Sequence, residues 1–296
     1  MSHAEQLEWE RSAGRPAGVA AIASALLGMI ALVVANSTVR GGADDEAESI
    51  VQAHKHLDSL VLGGVLSALS MALMAPLLLY LFRATKYRRA ELPEVARYLA
   101  LAGPLLFAAG LVAQSFAIRD AVERTFERFP LPPKAAKDAA NDAFTTGAVA
   151  DWSLVLLGVG LVVGAATILI SLNARRAGLL SSFMGITGVI VGVLIVVPFV
   201  GRPPIVYFFW AAALGLLYLG RWPGQRGRGP AWESGEPDPW PTTAELRAEQ
   251  DAERLGRTPE RAEPEPEPDD GDGDYEDAAP GAQHPRSKKR KRKRRR

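Results

Sequence analysis

A chain of 296 residues is long enough for two soluble domains, but its composition is split. Ala, Leu, Val, Gly and Ile dominate up to about Gly220, and Pro, Glu, Asp, Arg and Lys take over beyond it. The formal charge of +1 is therefore a cancellation that identifies no partner, and the lack of cysteine excludes disulfides, cysteine nucleophiles and thiolate metal sites.

Residues 1–16 are polar, with Arg11 and Arg15 just ahead of the first apolar run, Ala17 to Ala35. Val33-Val34-Ala35 has the small residues of a signal-peptide cleavage site, but the run exceeds the roughly 7–15 apolar residues of such a signal. A retained span is the expectation, with cleavage the alternative. A loop over 37–58 carries Asp44, Asp45, Glu46, Glu48 and Asp58 against Arg40 and Lys55. The second run, Ser59 to Phe82, leads into a basic loop with Arg83, Lys86, Arg88, Arg89 and Arg97. Tyr98 to Ile118 is the third run, and Arg119 to Ala150 connects it to the fourth, Trp152 to Leu172. At about 1.5 Å rise per residue, the fourth run matches a hydrocarbon core of roughly 30 Å. Asn173-Ala174-Arg175-Arg176 reads as a tight basic turn before the fifth run, Ser181 to Val200. A turn at 201–204 leads to the sixth and shortest run, Ile205 to Leu219. Its aromatics Tyr207, Phe208, Phe209, Trp210 and Tyr218, with Trp222 beyond, read as membrane-interface anchors.

This pattern predicts an all-α, polytopic transmembrane bundle of about six spans: a cytoplasmic segment 1–16, a helical domain 17–220, and a mostly disordered cytoplasmic tail 221–296. Lys and Arg near span ends resist translocation. The 83–97 loop, Arg175-Arg176 and Arg221, Arg226 and Arg228 fall on one side, which places both termini in the cytoplasm and the chain in the plasma membrane. The 119–150 loop, with Arg119, Arg124, Arg128, Lys134 and Lys137, opposes that majority.

No apolar run contains Asp, Glu, Lys, Arg or His, which argues against proton- or ion-coupled transport. Their polar residues are Ser24, Ser67, Ser70, Gln114, Ser115, Thr167, Ser171 and Thr187. Gln114 with Ser115 is the candidate inward-facing polar site; an interhelical hydrogen bond is the simpler reading. Gly160 and Gly164 have GxxxG spacing, as do Gly188 and Gly192, with Gly185 one turn earlier. Such faces let helix backbones approach closely, within one chain or in a homo-oligomer. Pro76, Pro104 and Pro198 are expected to kink their spans.

Outside the spans, His54 and His56 lie near four carboxylates, but two residues apart on a helix they point about 200° away from each other and cannot chelate together. No metal or cofactor site is assigned. Ile118, Val122, Phe126 and Phe129 recur at helical spacing, with Asp120–Arg124 as an i,i+4 pair, so this segment continues the third span or lies on the membrane surface. Asp151 reads as a capping carboxylate before the fourth span. No GxSxG, P-loop, HExxH or kinase motif is present, and no enzymatic activity is assigned.

In the tail, Thr242 and Glu245 have capping-box spacing for a helix from Thr243 to Leu255. Glu263 to Asp277 holds nine carboxylates, and the terminal run holds nine cations: Lys288, Lys289, Arg290, Lys291, Arg292, Lys293, Arg294, Arg295 and Arg296. That run fits anionic lipid or nucleic acid, with the acidic block as a mask. Through NARRAGLLSSFMGITGVIVGVL and the GRWP…PAW…PWP signature in 220–241, the chain resembles uncharacterised multi-span membrane proteins of high-GC Gram-positive bacteria. The resemblance implies plasma-membrane residence and carries over no functional residues. The function expected is an interaction or structural membrane protein; the alternative is a permease for a small neutral or apolar solute. No small-molecule substrate is identifiable.

Overall fold

A computed structural model of the chain describes residues 2–39, 54–127, 145–196, 204–222 and 229–238, with isolated positions at 138, 142, 240, 247 and 251. The chain divides into two units, Met1–Thr242 and Thr243–Arg296. The acidic block, the basic run and the Thr243–Leu255 helix fall in the second, outside the described residues apart from Arg247 and Asp251. Pro198, the 201–203 part of the last turn and most of the 37–58 loop also lie outside them.

Every described element is a helix: α1 (His3–Val39), α2 (Leu57–Ala72), α3 (Met74–Arg88), α4 (Val95–Glu127), α5 (Gly147–Arg176), α6 (Ser182–Val196), α7 (Ile205–Tyr218) and α8 (Pro230–Ser234). Four are long and apolar enough to cross a membrane: His3–Ala35, Leu57–Arg88, Val95–Phe126 and Gly147–Arg176, while Ser182–Val196 and Ile205–Tyr218 are shorter apolar helices. The polar residues before Ala17 belong to the same helix as the first apolar run, and Pro16 sits within it. The amphipathic segment after Ile118 continues the helix of the third run to Glu127.

α2 and α3 are two halves of one run, broken at Leu73. The cause is Pro76, which has no N–H to give the Ala72 carbonyl and whose ring crowds it. Pro104, by contrast, sits inside an unbroken α4. α1 packs against α2, α3 and α7; α4 lies between α2 and α5; α6 joins α5 to α7. The six therefore close into a ring, α1–α2–α4–α5–α6–α7, and α3 continues α2 between α1 and α4 while also reaching α5. Accordingly 61% of the most apolar 18 residues of Leu57–Arg88 are buried, against 33–39% of the corresponding stretches in the other three long helices.

The ring seams are lined with small residues, as expected where no hydrophobic force drives helices together. Between α5 and α6, a Cβ added to Gly164 would meet the Gly192 carbonyl oxygen at 2.5 Å, and one on Gly160 the Ile195 carbonyl oxygen at 3.1 Å. Gly188 faces Ser171 and Trp210, and Gly185 faces Arg175. The predicted glycine faces are thus filled within the chain. A second seam of the same kind, absent from the sequence reading, joins α1 to α7, where a Cβ on Gly215 would meet the Gly18 carbonyl oxygen at 2.9 Å. Facing outward instead are Val19, Leu62, Leu105, Leu154, Leu161 and Ile186, each roughly half exposed or more. An apolar surface running round a bundle in this way suits lipid rather than water.

Gly158 separates the two roles of glycine on α5, because nothing lies within 4 Å of a Cβ there. Gly164→Ala is expected to lower stability by about 1–3 kcal/mol through overpacking against backbone. Gly158→Ala is expected to be neutral or to raise stability by under about 1 kcal/mol through helix propensity. Equilibrium unfolding in mixed micelles measures both, and equal losses would contradict the seam.

Candidate functional site

Gln114 and Ser115 point to different neighbours. Gln114 turns toward α5, donating from Nε2 to Ser153 Oγ at 3.0 Å. Ser115 donates back to the Leu111 carbonyl at 2.7 Å and packs against Gly64 of α2. They serve different helix contacts, Gln114 with α5 and Ser115 with α2. Asp120 and Arg124 pair as expected, with Arg124 Nε donating to Asp120 Oδ1 at 3.1 Å. His54 stacks on Phe126, ring centroids 4.1 Å apart. Among the described residues no group of three or more His, Asp or Glu is placed to hold a metal ion.

Three local expectations are corrected. Asp151 is not a cap: α5 begins at Gly147, after Thr146, and takes Asp151 into its second turn. The basic turn is one helical turn further on. Asn173 to Arg176 are the last residues of α5, where cations suit the negative end of the helix dipole. The reversal follows at Gly178 (φ 75°), with Leu179 N–H bonded back to the Ala174 carbonyl at 2.9 Å and Gly178 N–H to that of Arg175 at 3.0 Å. The third correction concerns the aromatics of α7. Tyr207, Phe208, Trp210 and Tyr218 are buried in the bundle, and of the α7 set only Phe209 faces outward. Their polar atoms bond inside the protein: Trp210 Nε1 donates to the Met184 carbonyl at 3.1 Å and Tyr218 OH to that of Leu77 at 3.4 Å.

Midway along the bundle, Ser24, Ser70 and Tyr207 satisfy one another. Ser24 Oγ donates to the Ser70 carbonyl at 2.6 Å, Ser70 Oγ to the Ser24 carbonyl at 2.7 Å, and the Tyr207 hydroxyl lies 2.5 Å from Ser24 Oγ. Hydroxyls that could have lined a polar path instead fasten α1 to α2 and α7.

The densest chemistry lies at one end, where the sequence suggested only loops. Glu10 of α1 and Arg88 of α3 form a buried two-pronged pair, Nη1–Oε1 2.5 Å and Nη2–Oε2 3.0 Å. Arg88 also donates to the Ala231 carbonyl from Nε (3.1 Å) and Nη2 (2.7 Å), and to the Ala84 carbonyl from Nη1 (3.0 Å). All five guanidinium hydrogens are thereby used. Gln6 donates to Glu10 Oε1 at 2.8 Å, and Tyr80 OH to the Glu10 carbonyl at 2.9 Å. Above them Trp232 of α8 stacks on Tyr80, centroids 5.7 Å apart, and donates from Nε1 to the Leu179 carbonyl at 2.9 Å. The PAW part of the signature is thus a plug that joins α1, α3 and the α5–α6 turn. Its outer edge is held by His3, whose Nε2 meets the Ser234 carbonyl at 2.6 Å.

Beside this plug lies a groove of about 890 Å³ between the first turns of α1, the outer face of α3 and the start of α4. Its floor is the single outward stripe of α3, Pro76, Leu79 and Arg83. Arg83 lies 4.1 Å over the Trp9 ring. Lys86 holds the loop to α4, reaching the carbonyls of Ala90 (2.8 Å) and Leu92 (2.6 Å) and the Glu94 carboxylate (3.3 Å).

No family model, curated protein or solved structure matches this chain. Its residues must carry the functional argument alone.

Sequence reading missed the Glu10–Arg88 pair because Glu10 lies in a polar segment and Arg88 in a basic loop, each outside the apolar runs. A signal was present: Gln6, Glu10, Ala13, Ala17 and Ala21 recur at helical spacing, so the buried stripe of α1 starts well before Ala17. Arg88→Met is expected to cost about 3–5 kcal/mol, since it strands a buried carboxylate, and adding Glu10→Leu should recover most of it. A double-mutant cycle by equilibrium unfolding checks this; additive losses would contradict the pairing.

Proposed function

We propose that the chain is a six-span membrane protein of the interaction or structural kind, with both termini in the cytoplasm and a filled bundle as scaffold for its charged tail. The observation that carries this reading is the interior. Trp210, Tyr207, Tyr218, Met71, Met74 and Leu77 are all below 2% exposed. A permease needs a path for its solute, and here the mid-bundle hydroxyls are bonded to one another.

The orientation draws support from the placement of cations. The α3 end with Arg83 to Arg89, the α5 end with Arg175 and Arg176, and the start of α1 meet at the Trp232 plug. At the far end of α4, where the opposing loop begins, Arg119 is paired with Glu123 (2.9 Å) and Asp58 (3.4 Å), and Arg124 with Asp120. α6 and α7, at 15 and 14 helical residues, rise only about 21–23 Å. Local thinning of the bilayer accommodates spans of that length. On this reading Lys288 to Arg296 contacts anionic lipid or nucleic acid.

The absence of cysteine makes the test direct. Single cysteines at Lys137 and Gly201 are expected to react with an impermeant maleimide in intact cells, and one at Gly227 only after permeabilisation. Cysteines at Ser24, Ser70 and Thr167 should resist small hydrophilic thiol reagents from both sides. Labelling at those three positions would contradict the filled bundle, and reversed loop labelling would contradict the orientation.

A further inference from the structure

The groove beside the plug has an order of polarity along its length. α1 enters it with Gln6 and Trp9, passes Ala13, and reaches Ala17 and Ala20. α3, running the other way, contributes Tyr87, Lys86 and Arg83 at the same charged end and Leu79 and Pro76 at the apolar end. α4 adds Arg97, then Leu101 one turn deeper. From Gln6 to Ala20 this is roughly 21 Å along a helix, charged and aromatic at one end and purely apolar at the other.

The proline break explains why the space exists. α3 packs on α5 with its buried face and leaves its Pro76–Leu79–Arg83 stripe facing out between α1 and α4. A water-soluble solute has no use for the apolar half, and a simple hydrocarbon none for the charged end. Among the described residues the rim holds Arg83, Lys86 and Arg97 with Glu94, a net positive set. Arg97 is exposed there, and a guanidinium fork fits phosphate oxygens. Trp9 and Tyr87 beside it are the side chains that suit a headgroup-level boundary.

We propose that the groove between α1, α3 and α4 is a binding site for one anionic glycerophospholipid of the cytoplasmic leaflet, its phosphate at Arg83 and Arg97 and an acyl chain along Ala17, Ala20, Leu79 and Leu101. The proposal rests on the membrane orientation above. It does not depend on the tail.

The test uses the full chain in vesicles carrying trace phosphatidylglycerol or phosphatidylcholine with a photoactivatable acyl chain, with adducts mapped to peptides. Wild type should give adducts concentrated on Ala13–Ala20 and Pro76–Tyr87, several-fold more from phosphatidylglycerol. Arg83→Gln with Arg97→Gln should remove that preference, bringing the two lipids to equal yield. Ala20→Phe, which fills the apolar half and keeps the charges, should reduce groove adducts from both lipids. Changing Lys288–Arg296 to Gln should leave the preference in place. Adducts spread evenly over Leu154, Leu161 and Ile186, or a preference that survives loss of both arginines or follows the tail, would overturn the site. Carbonate extraction and maleimide labelling of the same preparations report on membrane orientation separately, so failure of one is not mistaken for failure of the other.

Discussion

One missing backbone hydrogen bond organises this bundle. Pro76 cannot donate to Ala72, so the second apolar run is interrupted at Leu73, and its latter half, still between α1 and α4, also packs on α5. Three things follow from that interruption. Leu77, Leu78 and Leu81 are fully buried between the neighbouring helices. Tyr80 and Arg88 are carried under α8, where they can meet Glu10 and Trp232. The opposite stripe of α3 is left facing outward as the floor of an amphipathic groove.

The forces that hold the rest differ from those of a soluble core. Lipid is as apolar as leucine, so burial of leucine between helices gains little. Close backbone approach at Gly164–Gly192 and Gly18–Gly215 supplies van der Waals contact, and hydroxyls and indoles bond where no water can replace them. The charged plug follows the same logic. A guanidinium among α1, α3 and α8 is tolerable because every one of its hydrogens has an acceptor. An ion pair of this kind fixes which surfaces meet more than it adds stability.

What the sequence made legible were features set by spacing along one helix. The apolar runs, the glycine faces, the Asp120–Arg124 pair and the extension of α4 past Ile118 all depend on a period of 3.6 residues and on nothing distant. What it hid depends on which face meets which neighbour. A Tyr-Phe-Phe-Trp cluster at the end of a run suits a membrane boundary, yet Tyr207 and Trp210 find acceptors on α1 and α6 and turn inward. Glu10 and Arg88, 78 residues apart, look solvated until α3 brings them together. Asp151 was misplaced because apolar content, not capping, set the expected start of α5. Ala231 and Trp232 were visible as a signature, but their task as a plug was not.

The inward position of α3 is the claim on which the filled interior, the plug and the groove all stand. An apolar carbene precursor dissolved in the bilayer reads it residue by residue on the native chain. Leu105, Phe116, Leu154 and Ile190 should be heavily labelled, Pro76 and Leu79 weakly, and Leu77, Leu78 and Leu81 not at all. Labelling of Leu77, Leu78 and Leu81 at the level of Leu105 would place α3 on the outside of the ring and contradict the account.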